Sequence, residues 1–144
     1  MNKKIVIISF ILVNGFILTA CAGSVFSSGN SSITYQNSYS NITPEELNDM
    51  VVNKDFLLIN VHVPFSGDIP DTDLSIPYDQ IDQQLDKLPA DKAAKIVVYC
   101  RSGSMSAVAA ENLISLGYTN VLNLENGFYG WENAGFPLEE VISE

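Results

Sequence analysis

The chain has 144 residues, a formal net charge of −10, and 47% hydrophobic against 17% charged residues, a balance that excludes intrinsic disorder and fits one domain with one core. Seventeen acidic residues against seven basic ones exclude an electrostatic nucleic-acid binder, which would need a basic face to displace counterions from phosphates. With a single histidine a multi-histidine metal centre is excluded too, and neither a metal nor another cofactor is expected.

Lys3 and Lys4 precede an apolar stretch from Ile5 to about Thr19, ending in "LTAC", Leu18 to Cys21. This is the pattern of an export leader rather than of the fold. The stretch falls short of the roughly 20 apolar residues of a spanning helix, and Asn14 and Gly15 interrupt it. "LTAC" resembles the lipobox of bacterial lipoproteins, which implies diacylation of Cys21 on sulfur and cleavage of the peptide bond before it. The expected location is therefore the cell envelope, with the protein lipid-anchored to a bacterial membrane and its domain on the exported side. From Ala22 to Ser40 the sequence "AGSVFSSGNSSITYQNSYS" has few core-forming residues and is expected to be a flexible tether. The expected organisation is a leader over 1–20, lipidated Cys21 and tether to 42, and one folded domain over 43–144.

That domain opens with "TPEE", where Thr43 can cap a helix, Pro44 suits its first turn and Glu46 completes a capping box. "FLLINV" (Phe56 to Val61) and "KIVVY" (Lys95 to Tyr99) are unbroken apolar runs, expected as strands buried on both faces, and "TNVLNL" (Thr119 to Leu124) is a weaker strand pattern. Ile81, Leu85 and Leu88 recur at helical spacing before Pro89, which predicts a helix there. A second helix is predicted through Val108, Leu113 and Leu116, ended by Gly117, and a short last one within "GFYGWENAG", Gly127 to Gly135. Strands alternating with helices predict an α/β fold, its mainly parallel sheet covered by helices on both faces.

Cys100 follows the run "KIVVY" and precedes Arg101, the only arginine, then Ser102, Gly103 and Ser104. The carboxyl end of a parallel strand is where open α/β sheets build their sites. Small residues there let main-chain N–H groups converge on the sulfur, and Gly103 admits a positive φ. The helix beginning near Ser104 to Ser106 and the charge of Arg101 are both expected to favour thiolate over thiol. Cys100 is thus the expected nucleophile, and with Cys21 committed to lipid no disulfide is expected. A cysteine phosphatase would carry an arginine six residues after its cysteine to grip the oxyanion; that position is Ser106, which counts against such chemistry.

The segment "VVYCRSGSMSAVAAENLISLGYTNVLNLENGFYGWENAGFP" resembles the second half of the rhodanese domains, and "LLINVHVPFSGDIPDTDLSIP" is similar to a segment of their first half. The resemblance implies a rhodanese-like three-layer fold and sulfur transfer through a persulfide on Cys100. A small donor such as thiosulfate or a persulfide would supply sulfane sulfur, and a thiol, cyanide or protein acceptor would take it, without a cofactor. Arg101, Ser102, Gly103, Ser104 and Met105 would form the substrate-binding cradle, with His62 and Ser106 as supporting groups. Four positions depart from the family pattern: Asn60 and His62 replace its usual Asp and Arg, Asp68 replaces its His, and Met105 stands where the loop often carries a further arginine. Two functions follow, a sulfurtransferase and a membrane-tethered, non-catalytic rhodanese-like module for binding or redox sensing. Phe128, Tyr129 and Trp131 are expected to pack in the core or wall the site.

Overall fold

The computed structural model describes residues 38–139. The leader, Cys21 with its lipobox, the tether up to residue 37 and residues 140–144 lie outside the described residues. In chain order the elements are β1 (Ser40–Ile42), α1 (Pro44–Val51), β2 (Leu57–Asn60), β3 (Leu74–Ser75), two 3₁₀ turns (Ile81–Gln83 and Leu85–Lys87), β4 (Ile96–Tyr99), α2 (Ser104–Ser115), β5 (Val121–Leu124) and α3 (Gly127–Asn133). Among the described residues no helix is long and apolar enough to cross a membrane.

The five strands pair in the order β1-β5-β4-β2-β3, each pairing parallel. β4 is therefore central, and its unbroken apolar sequence follows from burial on both sides. Alternate residues serve opposite layers: Ile96, Val98 and Cys100 join Ala109, Ala110 and Leu113 of α2, whereas Val97 and Tyr99 join Leu47 of α1 and Phe128 and Trp131 of α3. The expected three-layer α/β architecture is what the chain adopts. Full burial of an aliphatic side chain such as Leu113 contributes about 1.5–3 kcal/mol, so α2 is held by its inward stripe even though Val108, on its outer side, is half exposed.

Local signals set the helix ends. Thr43 and Glu46 form the reciprocal capping box, Thr43 N donating to Glu46 Oε2 at 2.8 Å and Glu46 N to Thr43 Oγ1 at 3.2 Å. Gly117 ends α2 at φ 92, its N–H donating to Ile114 O while Tyr118 N donates to Leu113 O, the paired bonds of a Schellman turn.

Two expectations are corrected, and one strand lies outside the expectations. The predicted helix over Ile81, Leu85 and Leu88 is instead two 3₁₀ turns, separated by Gln84 at φ −126 and ψ 35. Ile81 and Leu88 are buried but Leu85 is exposed, so the spacing satisfies two anchor points rather than one continuous helix face. The folded domain also begins before Thr43, because Ser40–Ile42 extends the sheet beside Leu122–Leu124. Only Ile42 of that edge strand is buried, and Asn41 Oδ1 accepts from Asn123 Nδ2 at 2.9 Å. Finally, the two-residue β3 carries no recognisable pattern; it is placed by pairing with Ile59 and Asn60.

Tyr99 ties the sheet to the loop after β2. Its hydroxyl accepts from the buried Ile69 N–H at 3.1 Å and lies 2.6 Å from Thr72 Oγ1 and 3.1 Å from Asp68 Oδ1. Tyr99→Phe leaves the Ile69 donor without its partner, and the expected result in chemical denaturation is a loss of about 1–2 kcal/mol with the fold retained.

Candidate active site

Parallel strands place the loops after β2, β4 and β5 at one end of the sheet, and these three loops build the site. Cys100, the first residue past β4, is 1% exposed and points to the α2 side. The chain turns at Gly103, φ 92, directly into α2, whose first turn no side chain caps. The donors left over converge on the sulfur. Gly103 N donates to Cys100 Sγ at 3.2 Å and Ser106 Oγ at 3.5 Å, joined by the main-chain N–H groups of Ser102 and Ser106. Burial pushes the thiol pKa up, but the hydrogen bonds from Ser106, Ser102 and Gly103 pull it down further, leaving Cys100 below the ordinary thiol value.

The remaining predicted loop residues separate by task. Ser106 is buried, with its hydroxyl also 3.1 Å from Gly103 O, so it both holds the turn and faces the sulfur. The Ser102 and Ser104 hydroxyls lie 3.4 Å apart in exposed positions, and Met105 packs against the α2-side core. Sequence proximity predicts that Arg101 lends its charge to the thiolate. Its guanidinium instead lies over the Tyr129 ring, 5.0 Å from the centroid, and the hydrogen bonds that lower the thiol come from its neighbours.

His62 reaches the same end because Val61 N donates to Tyr99 O at 2.8 Å. Its ring meets Phe128 edge-on at 5.9 Å, and its Nδ1 is buried without a partner among the described residues. Burial and, secondarily, the charge of Arg101 hold its pKa below the usual histidine value and so favour the neutral ring.

Two devices escape a residue-by-residue reading of the sequence. Gly127, at φ 49, passes so close to Cys100 that an added Cβ would sit 1.9 Å from the Cys100 carbonyl oxygen. Phe128 N then donates to Cys100 O at 2.9 Å and Tyr129 N to Arg101 O at 3.2 Å. The "ENG" turn (Glu125 to Gly127) is the one local signal of this approach. In the second device, Asn60 Nδ2 donates to Asp68 Oδ1 at 2.8 Å and to Gly67 O at 2.9 Å, while Asn60 Oδ1 accepts from His62 N at 2.9 Å. The departures at 60 and 68 thus meet each other: an amide donor faces a carboxylate acceptor, and the loop is stapled without a net positive group.

Known proteins resemble this arrangement. Residues 43–134 match the rhodanese-like domain. A sulfurtransferase of Allochromatium vinosum is 36% identical over 88 residues, covering 59% of this chain and 79% of that protein. The thiosulfate sulfurtransferase GlpE of Glaesserella parasuis is 26% identical over 106 residues, covering 72% and 96% respectively. Among solved structures, a rhodanese-related protein from Thermoplasma volcanium superposes with a TM-score of 0.60 at 28% identity, covering 70% of this chain and 98% of that one.

The depressed thiol predicts a pH profile. The fold favours the thiolate, so this stabilisation is present above the unfolded-state thiol pKa and is lost as pH falls through the folded-state value. Ultraviolet thiolate absorption, with Cys100→Ala as the blank, is expected to titrate below an ordinary thiol in the parent. Ser106→Ala, which removes the leading hydrogen bond, is expected to move the midpoint upward.

Proposed function

We propose that this chain, which belongs to the rhodanese-like domain family, transfers sulfane sulfur through a persulfide on Cys100. The observation that carries this reading is the buried sulfur held by Gly103 N and Ser106 Oγ at 3.2 and 3.5 Å, an anion cradle with serine rather than arginine six residues after the cysteine. In the first step the Cys100 thiolate attacks the outer sulfur of a donor such as thiosulfate. The donor's S–S bond breaks and its electron pair leaves with sulfite. In the second step a thiol, cyanide or protein acceptor attacks the terminal sulfur, and the pair of the breaking S–S bond returns to Sγ as thiolate. The same main-chain donors serve both charged states without rearrangement. The kinship with proteins named sulfurtransferases supports this chemistry.

Mass spectrometry of the Cys100 peptide after treatment with thiosulfate, polysulfide or mercaptopyruvate tests it. One added sulfur, released by reductant, is the expected result, with complete loss of loading and turnover in Cys100→Ser. An unmodified thiol with every donor defeats the transfer reading and favours a binding or redox-sensing module.

Location in the cell envelope belongs to the same proposal. Lys3 and Lys4, the apolar run and "LTAC" support lipidation of Cys21, and two acyl chains suffice for stable anchoring where one does not. Cys21→Ser is expected to abolish incorporation of labelled fatty acid and leave the precursor uncut; normal processing of the parent without lipid would defeat the anchor.

A further inference from the structure

The seven basic residues of this chain are not spread evenly over the fold. Lys3 and Lys4 fall in the leader, and Arg101 stands at the carboxyl end of the sheet, beside the site. The other four, Lys54, Lys87, Lys92 and Lys95, gather toward the amino end of the sheet. Lys95 directly precedes β4, and its carbonyl accepts from Leu57 N at the start of β2. The Lys92 carbonyl accepts from Thr119 N just before β5, and its Nζ lies over the Tyr118 ring. Lys54 lines one recess with Lys95 and Pro89, and Lys87 stands just before that proline. Lys54 and Lys95 pair with Asp73 and Asp55, whereas Lys87 and Lys92 are exposed and have no carboxylate partner among the described residues. α1 starts where β1 ends and runs back, so Val52 at its close reaches the same end, 76% exposed. The carboxyl end has the opposite character: Glu45, Glu46, Asp68, Glu125 and Glu139 stand there against Arg101.

The chain also enters the fold at the lysine end. Ser40 pairs with Leu122 beside the start of β5, so the segment that joins Cys21 to Ser38 meets the sheet at its amino end. We propose that in the lipid-anchored protein described above, on which this inference rests, the amino end of the sheet is a docking face for a bilayer containing anionic phospholipids, and that Cys100 faces away from it. The lysines meet headgroup phosphates, and Val52 meets the boundary of the acyl chains. The net charge of −10 does not forbid this. β2 and β4 are four residues long, about 13 Å, so with one end on the membrane the charges of the other lie beyond a Debye length of about 8 Å and are screened. What counts is the end in contact. At the amino end the lysines offset Asp55, Asp73, Asp86 and Asp91, whereas the carboxyl end brings a surplus of carboxylates that an anionic surface repels. Sulfur donor and acceptor then reach Cys100 from the aqueous side.

Two measurements on the full chain, expressed in bacteria and extracted from their membranes, test the proposal. The intact mass reads the anchor: without lipid on Cys21 the anchor fails, and the docking face falls with it. The anchored protein is then placed in nanodiscs of phosphatidylcholine, with or without phosphatidylglycerol, that carry a gadolinium-chelating lipid, and NMR compares amide broadening at the two ends. In the anionic discs strong broadening is expected at Val52, Lys92 and Asn120 and little at Phe65 and Ser102, an asymmetry that shrinks in neutral discs and in high salt. Lys87→Gln and Lys92→Gln are each expected to lower the ratio of docked to reversed orientation about fivefold, the scale of one basic residue at an anionic surface. Equal broadening at both ends, stronger broadening at Ser102, or an asymmetry that neither neutral discs nor the two substitutions change overturns the docking face while leaving the anchor standing.

Discussion

The tightest constraint in this protein is main chain against main chain: Gly127 abuts the Cys100 carbonyl, where no β-carbon fits. That contact fixes the Cys100 and Arg101 carbonyls by giving each an amide partner from α3. With the carbonyls turned toward α3, the following N–H groups are free to turn toward Sγ, and α2 starts where they end. Gly103 completes the interlock, since a Cβ there would meet Asn126 N at 3.4 Å and its φ of 92 already lies in the left-handed region. The loop after β5 is in this sense a mould for the loop after β4.

The layers are legible in the sequence wherever burial repeats in a short window. β2 and β4 announce themselves because both of their faces are covered, and α1 because Thr43, Pro44 and Glu46 act within one turn. The edge strand Ser40–Ile42 is hidden because an edge needs little apolar surface and its partner lies some eighty residues away, as the Asn41–Asn123 bond does. The segment from Ile81 to Leu88 illustrates the reverse error: anchors can stand at helical spacing while the backbone between them is not continuously helical.

At the site, Cys100, Gly103 and Ser106 are readable because a nucleophile at a strand end and a turn into a helix are local facts. The direction of Arg101 is not. Proximity in sequence implies a charge beside the sulfur, yet the guanidinium lies over the Tyr129 ring, where cation–π attraction and solvent are both available. The Asn60–Asp68 pair also needs three dimensions. Seen singly, each residue is a lost family charge; together they are a donor and an acceptor 2.8 Å apart, and His62 beside them, its pKa lowered by burial, is a weaker cation than the arginine of the family pattern.

The cradle that holds Sγ combines main-chain amides with the Ser106 hydroxyl. Amides respond to the charge and size of the sulfur in front of them and hardly to what lies beyond it. For the proposed transfer, the same donors therefore face thiolate and persulfide alike, and the loop need not rearrange between the two half-reactions. Such a carrier has no built-in direction. Its net flow would follow the sulfur donors and acceptors around it rather than the cradle.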